Sequence, residues 1–227
     1  MDQKKVNIWK ENTTEEFLKS MNLEYVPGDV GNMYGFQWKH FGTDYQGCDK
    51  DYTNQGYNQI EYVLNLLRND KYSRRILMTT YAPDKADRGV LYPCHGIVVQ
   101  FYVRGEEGVN FLSCHMYQRS ADMFLGVPFN ISSYALLVYI LCEVLNSEVL
   151  NNDRMKFKPD KLTMSFGDVH IYSDHYSQVE EQISREPKNF PSFKIISNDS
   201  KLEEFKWEDI EVKDYDPHGR IAASMVA

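Results

Sequence analysis

The sequence predicts a single α+β domain. Two β-rich segments, Ile97 to Arg104 and Asn110 to Tyr117, flank the polar turn Gly105-Glu106-Glu107-Gly108 and read as a hairpin. Around them lie helical patterns of two kinds, one amphipathic and one apolar nearly all round. There is no internal repeat, no low-complexity tract and no linker-like shift of composition. The 227 residues therefore fit one well-buried domain, 1–227.

Taken in order, Thr13 and Glu16 form a capping-box pattern opening a short helix with Phe17 and Leu18. Pro27-Gly28-Asp29-Val30-Gly31-Asn32 is turn chemistry that delivers Tyr34-Gly35-Phe36. Ile60, Val63, Leu64 and Leu67 recur at helical spacing, which predicts a helix of about three turns from Gln59. Ile76 to Tyr81 is an apolar run suited to a buried strand. In the second hairpin strand, Leu112, Cys114 and Met116 share one face, and Phe111, Ser113, His115 and Tyr117 the other. Ser132 to Asn146 reads as a helix buried in mid-domain. A last helix is expected from Asp174 through Tyr176, Val179 and Ile183, ending before Pro187. Residues Ser197 to Lys206 are polar and read as surface.

Composition excludes several classes. Net charge is −8, so the whole surface repels nucleic acid polymers, and an anionic ligand needs a local concentration of Arg and Lys. Cys48, Cys94, Cys114 and Cys142 are widely spaced without a CxxC pair, which argues against zinc or a dithiol redox motif. The start lacks an apolar signal-peptide core, and the longest apolar run, Tyr134 to Leu145, is short for a bilayer. These features predict a cytoplasmic protein with free thiols, no membrane partner and no metal.

Cys94, in Tyr92-Pro93-Cys94-His95-Gly96, is the first candidate for chemistry. A lone Cys is more often a small core residue than a nucleophile. His95 is poorly placed to deprotonate it, because neighbours on an extended segment point to opposite faces. Activation then calls for a cation from elsewhere, and Arg74, Arg75 and Arg119 are the candidates. Arg119 follows a half-buried strand in Gln118-Arg119-Ser120, where a ligand phosphate is a suitable partner. Polar residues also crowd Asp122 to Asn130 and Gly167-Asp168-Val169-His170-Ile171-Tyr172. If the latter is extended, Asp168, His170 and Tyr172 share one face. Read alone, His170 is more often structural.

Several segments then fall into one order. Gly28-Asp29-Val30-Gly31-Asn32-Met33-Tyr34-Gly35-Phe36-Gln37-Trp38, Arg74-Arg75, Pro93-Cys94-His95, Tyr117-Gln118-Arg119-Ser120-Ala121-Asp122, Leu125-Gly126-Val127-Pro128-Phe129-Asn130 and Gly167 to Tyr172 resemble the successive motifs of thymidylate synthase. The tail from Tyr215 through His218 to Met225-Val226-Ala227 fits too, so the resemblance spans Val6 onward. It implies a mixed twisted β-sheet packed by helices, with a sheet face used for homodimerisation. It implies reductive methylation of dUMP to dTMP, with methylenetetrahydrofolate as carbon donor and reductant and Cys94 attacking carbon 6 of uracil. By the same resemblance Arg119 binds the nucleotide phosphate and lowers the pKa of Cys94, Ser120 adds a phosphate hydrogen bond, and Gln118 supports that region. Arg74 and Arg75 reach the phosphate in a partner's site. Asn130 reads the uracil edge, Asp122 meets pyrimidine and folate, and His170 and Tyr172 hold the sugar 3′-hydroxyl. Tyr34 joins proton transfer, Trp9 lines the folate site, and Ala227 closes over it.

The sequence also departs from the pattern. The family has a further N-terminal region with a loop Arg that binds phosphate and a Glu that organises water, and neither has a counterpart from Val6 onward. Tyr81-Ala82, Tyr92 and Ala222-Ala223-Ser224 differ from the usual residues at those positions. Two alternatives to the synthase reading follow: a dUMP hydroxymethylase, and a catalytically impaired nucleotide-binding homologue.

Overall fold

A computed structural model describes residues 8–149, 156–196 and 201–226. Near the N-terminus, a 3-10 turn at Glu11–Thr13 leads into helix α1, Glu15–Ser20. The cap is Thr14, whose hydroxyl accepts from the Phe17 N–H, not Thr13 as the capping-box pattern predicted. Thr13 is instead turned inward, its hydroxyl donating to the Trp9 carbonyl at 2.8 Å.

Helix α2, Tyr34–His40, follows the predicted turn, which is pinned by the buried Asp29 carboxylate. That carboxylate accepts from the Gly31 and Cys48 N–H groups and from the Tyr45 hydroxyl. Gly31 bridges Gly89 with φ +78°, and a Cβ there would lie 2.6 Å from the Arg88 carbonyl oxygen. Only glycine permits this approach. It draws the turn, and with it Tyr34, onto the segment leading to Cys94.

Helix α3, Gln59–Asn69, is capped by Asn58 and buries Ile60, Val63, Leu64 and Leu67, as the helical spacing predicted. The apolar run at Ile76 contributes only a two-residue strand, β1, Leu77–Met78. Strands β2, Val98–Glu106, and β3, Val109–Asp122, form the predicted hairpin. Leu112, Cys114 and Met116 are buried on one face of β3, as alternation required.

Helix α4, Gly126–Val149, then crosses to β4, Phe157–His170, which pairs parallel to β3. The sheet order is β1-β2-β3-β4. By length and composition α4 could cross a membrane, contrary to the expectation drawn from the Tyr134–Leu145 run. However, Tyr134, Leu137, Val138, Leu141, Cys142, Val144 and Leu145 are buried in the main core with α3 and the inner sheet face. It is the central core helix of this fold.

Helix α5, Tyr176–Ile183, ends before Pro187 as predicted, although none of its residues is fully buried. Strands β5, Ser192–Ile195, and β6, Ile210–Lys213, form a separate two-stranded sheet. Within the segment read as polar surface, residues 197–200 lie outside the described residues, while Leu202 and Phe205 pack on the main core. A smaller core of Leu18, Leu23, Met33 and Val90 carries Trp9, Tyr34 and Leu91 at its edge. The mixed sheet with helices against it is the predicted α+β architecture.

Candidate active site

Three elements converge on Cys94. The loop before β2 carries it, β3 ends beside it, and α2 begins against it. The loop is fixed through its backbone: the Arg119 N–H donates to the Cys94 carbonyl at 2.9 Å, and the Thr80 hydroxyl donates to the His95 carbonyl at 2.7 Å. The Cys94 N–H donates to the Tyr34 hydroxyl at 3.3 Å. Tyr34 has φ +28°, an unusual conformation for a residue with a side chain, at the first position of α2.

Arg119 reaches the same loop with its side chain. Its Nε donates to the Pro93 carbonyl at 2.8 Å and its Nη2 to the Tyr92 carbonyl at 3.1 Å. Nη2 also lies 3.8 Å from the Cys94 sulfur. The Cys94 thiol itself donates to the Tyr92 carbonyl at 3.2 Å. Burial pushes the thiol pKa up, and the Arg119 charge pulls it down by less. Arg119 thus acts on Cys94 in the expected direction, but desolvation of the sulfur outweighs the guanidinium and the net shift is upward.

His95 is not a base for this thiol. Its ring stacks on Tyr34 with centroids 4.0 Å apart, and its Nδ1 lies 2.9 Å from the Tyr134 hydroxyl. Burial lowers its pKa to about 4, so it is neutral at pH 7. Tyr34 is likewise held protonated, its pKa raised by burial and then by the proximity of Cys94.

The parallel β3–β4 pairing supplies the next group. Ser120 is opposite Asp168 and Asp122 opposite His170, with the Met123 N–H donating to the His170 carbonyl at 3.0 Å. The Gln118 amide donates to the Ser120 carbonyl and to Asn130 Oδ1, both at 3.0 Å. Gln118 and Asn130 are both buried, and Gln118 Oε1 has no partner. The Asp122 carboxylate accepts from the Phe124, Leu125 and Gly126 N–H groups, so it caps the start of α4. His170 approaches Asp168 at 3.4 Å and packs edge-on against Tyr172. Burial, then the charges of Asp122 and Cys94, raise the Tyr172 pKa, which ties that phenol to the same site.

Not every predicted residue joins this group. Arg74 and Arg75 are exposed ahead of β1, the opposite sheet edge from β4, and no described ion pair joins them to Cys94. Trp9 is half-buried in the smaller core beside Tyr34. Ala227 lies outside the described residues. Just before it, the Ser224 carbonyl meets His175 Nε2 at 2.8 Å, and the buried His175 ring stands edge-on to Tyr172. The sequence reading missed His175 as a tail contact, Tyr134 as the partner of His95, and Asn12, whose buried Oδ1 has no partner. A polar residue in an apolar helical run was the only signal for Tyr134. Among the described residues, no three His, Cys, Asp or Glu side chains gather into a metal-binding cluster.

A family model described as thymidylate synthase matches residues 1–227. The chain belongs to the thymidylate synthase family. It is 42% identical to the thymidylate synthase of Saccharomyces cerevisiae, over 99% of this chain and 72% of the yeast protein. It is 38% identical to the human thymidylate synthase, over 99% of this chain and 67% of that protein. It is 41% identical to that of human herpesvirus 8, over 97% of this chain and 61% of the viral protein. The chain therefore spans about two thirds of the length of these relatives. Thymidylate synthases are methyltransferases of dTMP biosynthesis that use methylenetetrahydrofolate as co-substrate, and the family is generally dimeric.

Proposed function

We propose that this chain carries out the family reaction, reductive methylation of dUMP to dTMP. The observation that carries this reading is the Arg119 guanidinium 3.8 Å from the Cys94 sulfur, on a loop whose nearby histidine is neutral and engaged elsewhere. A thiolate formed there has a cation at hand to stabilise it. Its sulfur bonds to uracil carbon 6, and the π electron pair moves toward carbon 5 and oxygen 4, making carbon 5 nucleophilic. Carbon 5 bonds to the one-carbon unit of methylenetetrahydrofolate and loses its proton. Tetrahydrofolate leaves that unit and then gives it a hydride to become dihydrofolate, and the Cys94 sulfur departs from carbon 6 to release dTMP.

The remaining roles follow the chemistry of each side chain. Arg119 and Ser120 bind the phosphate, and Asn130, held by Gln118, meets the uracil edge with an amide that both donates and accepts. His170 and Tyr172 take the sugar hydroxyl, Tyr34 serves proton transfer, and Asp122 supports the pyrimidine through the turn it caps. The folate side is suited by the half-buried Trp9 indole and by the partnerless Asn12 oxygen further along the same segment. Ala227 ends the tail that closes over it. Arg74 and Arg75 act in trans across a homodimer, and the protein works in the cytoplasm.

The test is dihydrofolate formation, followed by absorbance, with the wild-type chain and Cys94→Ala. Turnover lost in Cys94→Ala supports the reading. Hydroxymethyl-dUMP without dihydrofolate overturns it in favour of a hydroxymethylase.

A further inference from the structure

We propose that Tyr134 is a positioning residue that donates its hydroxyl hydrogen to His95 Nδ1, and so fixes His95 as the neutral Nε2–H tautomer. Tyr134 is buried in the first half of α4, and the oxygen of its hydroxyl is 2.9 Å from Nδ1. No other acceptor for that hydroxyl is recorded among the described residues. If Nδ1 carried the hydrogen, the phenol O–H would be left in the interior with nothing to accept it. If the phenol donates, its hydrogen is satisfied and only lone pairs remain open, which the interior tolerates better. One arrangement of the two hydrogens is therefore favoured.

The surroundings hold both rings to this geometry. Gly96, φ +68°, follows His95, and any Cβ at that position would collide with the Tyr134 hydroxyl and come within 3.0 Å of Thr80. The Gly96 carbonyl accepts from the Thr80 N–H at 2.9 Å, which locks the loop at that point. Tyr34 also packs on His95, stacked at an interplanar angle of 5° while its hydroxyl accepts from the Cys94 N–H. A chain of contacts thus runs from α4 through Tyr134 and His95 to Tyr34 and the nucleophile's own backbone. With Nδ1 occupied and Nε2 protonated, neither ring nitrogen offers a lone pair, so His95 is a donor and packing surface, not a base.

The tautomer itself rests on no assumption about the reaction; only its kinetic consequence rests on the proposed synthase activity. Long-range proton–nitrogen correlation spectra of the full chain with 15N-labelled histidine read it in the resting protein. The expected result is the Nε2–H tautomer for His95, assigned by its loss in His95→Gln. In Tyr134→Phe the His95 signals shift toward a mixture of tautomers, and kcat falls several-fold with KM for dUMP little changed. Nδ1–H in the wild-type chain overturns the proposal, and so does an unchanged tautomer in Tyr134→Phe. Should that variant not fold, fluorotyrosine at position 134 keeps the ring and makes its hydroxyl a stronger donor. A shifted His95 Nδ1 resonance then supports the proposal, and an unmoved one overturns it.

Discussion

Arg119 Nη2 and the Cys94 thiol share one acceptor, the Tyr92 carbonyl, at 3.1 and 3.2 Å. The guanidinium is therefore held beside the sulfur by the same oxygen that holds the thiol hydrogen. Ionisation of Cys94 breaks the thiol's bond and leaves Arg119 as the adjacent cation.

That arrangement predicts the reactivity of the free protein. Burial raises the Cys94 pKa, so its alkylation by iodoacetamide speeds up as pH rises past the ordinary thiol range. Removing the charge in Arg119→Ala moves the midpoint further up. The same variant loses kcat/KM on the order of 10²-fold, the scale of deleting one preorganised charge-stabilising donor. Peptide mass spectrometry of Cys94 against pH, beside steady-state kinetics, checks both.

Tyr34→Phe removes the acceptor for the Cys94 N–H. Leaving that group unpaired costs about 1–3 kcal/mol of stability. The midpoint of urea unfolding falls accordingly, and kcat falls with it because the nucleophile's backbone loses an anchor.

Asn130→Asp replaces the amide fixed by Gln118 with a carboxyl group. The pattern of donors and acceptors facing the pyrimidine changes, and preference moves from dUMP toward the cytosine nucleotide. Competition kinetics with dUMP and dCMP measure the ratio. An unchanged preference counts against the assigned role of Asn130.

Acid stability should report on His95. Its folded pKa of about 4 lies below the ordinary 6.5, so the native state binds fewer protons than the unfolded chain in that window. Stability from this group is present above pH 6.5 and is lost as pH falls toward 4, a change on the order of 3 kcal/mol. Unfolding titrations of His95→Gln across the same range show a flatter slope than the wild type.

Gly96→Ala meets two penalties at once, a left-handed backbone and a collision with the Tyr134 hydroxyl. The backbone alone costs roughly 1–3 kcal/mol. Thermal unfolding of the variant sets the total.

Elements with a strong local period were legible: the apolar stripe of α3 and the alternation of β3 each matched one buried face. The ends of α4 were not. The predicted helix began only at Ser132, yet proline is tolerated in a helix's first turn, where its missing N–H removes no intrahelical bond, and α4 starts at Gly126. Most of β4 was also not predicted, because Lys158, Pro159, Asp160 and Lys161 carry no apolar alternation. An edge strand accommodates both proline and exposed charge. In the candidate site, the contiguous motifs named Cys94, Tyr34 and Arg119, and these three do meet. The Tyr134–His95 and His175–Ser224 contacts join distant segments, and no local pattern announces them. The balance between burial and Arg119 at Cys94 likewise depends on packing that sequence does not display.

The parallel pairing of β3 with β4 has a kinetic consequence. Ser120 and Asp122 are brought beside Asp168 and His170 only after the entire α4 crossover has closed a long loop. A hairpin of β2 and β3 can form early from neighbouring residues, but Asp168 and His170 join Ser120 and Asp122 only when β4 pairs. If these four residues bind the nucleotide as proposed, affinity for it is a late acquisition during folding. Hydrogen exchange in β4 should slow on nucleotide binding along with the most protected amides of β3, since both open in the same event.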